Sequence, residues 1–77
     1  MTPPNPIYVK VTMHPVDEHI LKYFEFRHLP EHLQQVSEPF AELAAKVAIK
    51  APESPETTVA LRKLLEAKDA AVRAALG

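Results

Sequence analysis

The side chains that could do chemistry gather in two places. The first is Tyr23, Phe24, Phe26, Arg27 and His28, the densest aromatic and cationic group in the chain. Aromatic rings and a guanidinium plane suit stacking on nucleobases, and arginine suits a phosphate through its paired N–H donors. A plainer account has the rings packing in a core and Arg27 standing in solvent. The second place is SPETTVALRKLLEAKDAAVRAAL, residues 54–76, which carries Arg62, Lys63, Lys68 and Arg73. Its start offers the hydroxyls of Thr57 and Thr58 beside the free N–H groups of a helix N-terminus, a natural phosphate site. Here the plainer account is a solvated helix face.

Other chemistry finds less support. His28 and His32 are four apart, a spacing that brings two imidazoles to one metal only if both lie on one helix. His28 precedes Pro30 and falls outside the helix that Pro30 opens, so no metal site is expected, although His14 and His19 are further candidates for approach. Of the two serines, Ser54 reads as a helix cap and Ser37 sits on a helix near Pro39. No nucleophile has an evident base and orienter, so the chain is expected not to be an enzyme. No cofactor is expected.

Elements must position these groups. Residues 1–6 hold three prolines and read as an extended tail. Residues 7–13, IYVKVTM, alternate with period two and predict a strand that His14-Pro15 ends. Residues 16–20 are too short to assign. Residues 21–28, LKYFEFRH, alternate again and predict a second strand; an extended arm laid on a helix is the alternative. A helix is predicted over residues 30–50, with Leu33, Val36, Phe40, Leu43 and Val47 as its apolar stripe. Pro39 inside it predicts a kink or a division near Glu38. Ala51-Pro52 stops that helix, and a short link leads to a second one, capped by Ser54, with Pro55 at its first position and Glu56 at its positive end. Two long helices joined so briefly predict an antiparallel hairpin. Arg62 with Glu66 and Asp69 with Arg73 are expected as ion pairs one turn apart.

A chain of 77 residues makes one domain, marginal unless something staples it, and with no cysteine the staple is not a disulfide. The second helix carries Leu61, Leu64, Leu65, Val72 and Leu76 among alanines, a broader apolar surface than one partner helix covers. Leu65, Val72 and Leu76 are therefore expected to meet another subunit. A net charge of −1 gives no basic field for a nucleic-acid polymer. No apolar run reaches membrane-spanning length and the start has no signal-peptide pattern, so a soluble cytoplasmic protein is the default expectation.

Residues 40–76 resemble a helical hairpin of small bacteriophage proteins. The pattern is a leucine-alanine helix, a proline turn, a glutamate followed by small residues, an Ala-Leu step, a basic residue, a leucine and Glu-Ala. Here it is met by Leu43, Ala44, Pro52, Glu56, Thr57, Thr58, Ala60, Leu61, Lys63, Leu64, Glu66 and Ala67. That hairpin is similar to the one in phage sponges that defeat CBASS and Thoeris immunity by binding cyclic nucleotide signals. The resemblance implies a homo-oligomer, commonly a hexamer, with ligand pockets between subunits. It further implies a cyclic nucleotide or cyclic ADP-ribose-type ligand held by Thr57, Thr58, Arg62 and Arg73, with Phe26, Arg27 and His28 adding stacking and charge. The chain departs from the pattern at Ala70 and Val72, where relatives carry tryptophan and asparagine, and over Leu33–Ser37, where they carry an aromatic and arginines. The expected architecture is mainly α, an antiparallel two-helix hairpin with a short β-rich N-terminal arm over residues 7–28, assembled as a homo-oligomer. The alternative to a sponge is a structural or adaptor oligomer that acts by binding another protein.

Overall fold

The computed structural model describes residues 14–77, and the strand expected over residues 7–13 lies outside them. Three helices make up the described chain: α1 (Pro15–Lys22), α2 (Glu31–Lys50) and α3 (Pro55–Leu76). No strand occurs among the described residues.

The strand expected over residues 21–28 is corrected to the end of a helix and two turns. Helix α1 starts at His14, whose Nδ1 accepts the Val16 N–H at 3.1 Å. Pro15 occupies its first turn with Asp17 and Glu18, acids that suit the positive end of the dipole. Asp17, Ile20 and Phe24 are all buried, at spacings of three and four. The helical stripe overrode an alternation that was only local, because Ile20 and Phe24 gain a core by pointing the same way. Past Lys22 the chain turns tightly, with the Tyr23 and Phe24 N–H groups donating to Ile20 and Leu21 carbonyls. The Glu25 carboxylate then accepts from the N–H groups of Phe26 and Arg27, both at 2.9 Å.

Helix α2 has no side-chain cap at Pro30. Instead Gln34 reaches back, donating from Nε2 to the Leu29 carbonyl at 2.7 Å and the Arg27 carbonyl at 3.3 Å, which ties the turn to the helix. The division expected at Pro39 does not occur, and the helix runs unbroken through Glu38–Phe40. Pro39 and Gln35 both lie on the exposed face. The carbonyl that loses its bond to the proline nitrogen is therefore open to water, and the buried face keeps its packing. The helix stops at Ala51, held extended (φ −77, ψ 146) before Pro52, as a residue preceding proline prefers. Helix α3 starts as expected, with Ser54 Oγ accepting from the Glu56 and Thr57 N–H groups at 3.1 and 3.3 Å.

The hairpin is antiparallel: Ala44 and Ala48, late in α2, meet Leu61, early in α3. Helix α1 lies across both, seating Ile20 and Phe24 against those alanines, whose small side chains leave room for it. Leu64, Leu65 and Phe40 flank this core. The structure thus revises the case for a second subunit. Leu65 packs on the chain's own core, Val72 is half-buried, and of the three leucines and valines expected at an interface only Leu76 is exposed. The short helix covers much of the surface that two helices alone would leave open.

One core residue is misfitted. Ser37 is fully buried and its Oγ has no hydrogen-bond partner among the described residues. A hydroxyl buried without a partner costs free energy, and alanine is the better helix former. Ser37→Ala is expected to leave stability unchanged or raise it by up to about 1 kcal/mol. Denaturant midpoints check this, and a loss larger than about 1 kcal/mol would show that the hydroxyl is bonded after all.

Candidate functional site

The seven residues singled out from the sequence fall into four places. Thr57 and Thr58 do sit at the start of α3, but their hydroxyls are spent inside the chain. Thr57 is buried and donates to the Pro52 carbonyl, holding the interhelical link against the first turn. Thr58 donates to Asp17 Oδ1 at 2.6 Å. Asp17 is itself 3% exposed. Its carboxylate stands at the positive end of α3, where an external phosphate was expected, and so joins α1 to α3. The open pocket of about 400 Å³ beside it is lined by His14, Val16, Glu53, Ser54, Pro55 and Thr58. With Glu53 on its wall, Asp17 behind it and no lysine or arginine lining it, this end of the hairpin is poorly suited to an anion.

Phe26 and Arg27 lie together in a groove of about 380 Å³ walled by Leu21, Phe24, Ala41 and Ala45. Phe26 is half-buried there. Arg27 is drawn back to Glu25, with Nε 3.3 Å from the carboxylate. The Arg27 backbone N–H, then the Phe26 N–H and the Arg27 charge, hold the Glu25 carboxyl below its usual range. A lowered value means that this turn keeps its carboxylate contacts at neutral pH and loses them as pH falls through that value.

His28 and Arg73 meet in a third groove, of about 370 Å³, between the turn after α1 and the last turns of α3. Lys22, Tyr23, Glu25 and Lys68 share its walls. Tyr23 is 56% exposed. Its ring stands edge-on to His19 at 5.4 Å, and its hydroxyl lies 3.4 Å from His19 Nε2, so one turn of α1 orients it. Arg62 is exposed on α3 and lines none of these grooves.

The ion pairs expected on α3 are replaced by others. Glu66 pairs with Lys63 at 3.6 Å rather than with Arg62, and Asp69 with Lys68 at 2.8 Å rather than with Arg73. Exposed pairs differ by only tenths of a kcal/mol, so helix spacing alone does not choose among them. The exchange leaves Arg73, which lines the groove, without an ion pair among the described residues.

Sequence reasoning missed Lys22. Read as a strand residue, it pointed away from Tyr23. Read as the last residue of a helix starting at His14-Pro15, with acids in its first turn, it falls beside Tyr23 at the helix end. That capping pattern was the signal available. Among the described residues no three His, Asp or Glu side chains are placed to share a metal ion, and no helix is long and apolar enough to cross a membrane. Compared with protein-family models, curated proteins and solved structures, the chain matches none.

Proposed function

We propose that this chain binds a cyclic nucleotide-type signal and holds it without converting it, as a phage sponge acting in the cytoplasm of an infected bacterium. The observation that carries the reading is the groove in which the cations Lys22, Lys68 and Arg73, with His28 and the carboxylates of Glu25 and Asp69, share walls with the exposed Tyr23. Cations set around an exposed ring match a compact molecule that has phosphate on one side and a base on the other. The ring that stacks is then Tyr23 rather than Phe26, and the hairpin's likeness to phage sponges supplies the ligand class. Neither serine is placed as a free nucleophile: Ser37 Oγ is sealed in the core and Ser54 Oγ caps α3.

The experiment is calorimetry against a panel of cyclic dinucleotides, cyclic trinucleotides and cyclic ADP-ribose isomers. Saturable heat with at least one of them is expected, and no heat across the panel would defeat the reading.

The sponge reading also includes self-assembly. Leu43, Val59 and Leu76 remain 48%, 45% and 64% exposed. Sedimentation at micromolar concentration is expected to show a homo-oligomer that Leu43→Glu dissociates, with the helices retained because Leu43 is not part of the core. A wild-type monomer would remove the assembly from the account. The same exposed residues support the adaptor alternative. Leu43 shares an open groove on α2 with Lys46, Lys50 and the half-buried Val47, a surface suited to another protein.

A further inference from the structure

The groove that holds Arg73 also carries a carboxylate of its own. Asp69 lines it, and Asp69 Oδ1 is 2.8 Å from Lys68 Nζ. Adjacent positions on a helix do not face each other. This pair forms because the Lys68 side chain is folded in, at 13% exposed, while Asp69 stays 47% exposed beside it. The other charged side chains lining the groove are Lys22, Arg73 and Glu25, and His28 lines it with them. Glu25 is already matched by the Arg27 guanidinium and by two backbone N–H groups. Asp69 is therefore the carboxylate that an incoming anion meets.

We infer that Asp69 is a specificity-determining residue, an internal counter-ion that competes with the ligand's phosphate for Lys68. The inference rests on the reading of this groove as an anion site. To use Lys68, a phosphate must break a partly desolvated pair, and it then lies near the carboxylate it displaced. A ligand with one phosphate can sit at Lys22 or Arg73 and leave that pair intact. A ligand with two phosphates must displace Asp69 with the second, and its larger charge is repelled more by the carboxylate that remains beside it. Asp69 thus filters ligands by charge, and Asp69→Asn, which keeps the size and removes the charge, relaxes the filter.

The test is calorimetry with cyclic AMP, which has one phosphate, and cyclic di-AMP, which has two. It uses wild type, Asp69→Asn, Lys68→Ala, the double variant, and Glu66→Gln as a charge control outside the groove. Asp69→Asn is expected to tighten cyclic di-AMP about three- to tenfold and cyclic AMP less than about twofold, the size expected for one partly exposed charge. In the Lys68→Ala background the gain disappears, and Glu66→Gln changes neither affinity. Unchanged or weaker cyclic di-AMP binding by Asp69→Asn, or an equal gain for cyclic AMP, with wild type binding either ligand, overturns the inference and leaves the groove reading standing. Binding of neither ligand by wild type or Asp69→Asn overturns the inference, and the groove reading then stands or falls with the wider panel.

Discussion

Leu61→Ala is expected to destabilise the chain by about 2–5 kcal/mol, the range for truncating a buried leucine. Leu61 is fully buried where the three helices meet, in contact with a cluster of Ile20, Phe24, Ala44 and Ala48. Two of those neighbours are alanines, which have no side-chain freedom with which to fill a void. The helix backbones would have to move instead, and their capped ends resist that. The lost methyl groups and the residual cavity therefore both count. Small domains have only about 5–15 kcal/mol in total, and one of this size falls toward the low end. The variant should melt far earlier or fail to fold. Leu61→Val, which should cost about 1 kcal/mol by removing a single methylene, keeps the prediction measurable in that case. Denaturant unfolding followed by helical circular dichroism gives both values. A cost below about 1 kcal/mol for Leu61→Ala would mean that α1 does not close over this position.

The hairpin was legible because its signals are local and redundant. Ser54, Pro55 and Glu56 mark one helix start by three independent effects, and Ala51-Pro52 marks a stop that backbone sterics enforce. Helix α1 was not legible because its eight residues give barely two turns of pattern. The flanking LKYFEF alternates well enough to mimic a strand, and the core that decides between the two lies more than twenty positions away, on Ala44, Ala48 and Leu61. Missing α1 had two further effects. It left Leu65 and Val72 looking available to another subunit, and it hid Asp17, whose carboxylate takes the Thr58 hydroxyl proposed for phosphate. The site was legible by residue type only. Arg73, His28 and Tyr23 were all noticed, but no sequence spacing brings a turn at residues 23–28 against the last turns of α3.

Arg73→Ala is expected to weaken capture of the signal roughly ten- to hundredfold, the equivalent of one charge-assisted hydrogen bond to phosphate of about 1.5–3 kcal/mol. Arg73 is exposed near the end of α3, and its expected partner Asp69 is engaged by Lys68. The guanidinium therefore has no ion pair to give up among the described residues, and little stability is lost with it. Arg73→Lys should recover only part of the affinity, because an ammonium does not reproduce the planar, two-pronged contact. Arg62→Ala, which was equally eligible on sequence alone, should bind like wild type because Arg62 lies outside the groove. Equal losses from Arg62→Ala and Arg73→Ala would point to a diffuse charge effect and against this groove.

Capture followed by release tests the central claim most directly. A cyclic nucleotide signal is incubated with the protein, free ligand is removed, the protein is denatured by heat, and the released material is separated and weighed by mass spectrometry. The account predicts that wild type yields the intact signal in proportion to the protein, and that Arg73→Ala yields far less. Release of a cleaved product would contradict it and make the chain an enzyme, and release of nothing from any signal tested would leave binding of another protein as the better account.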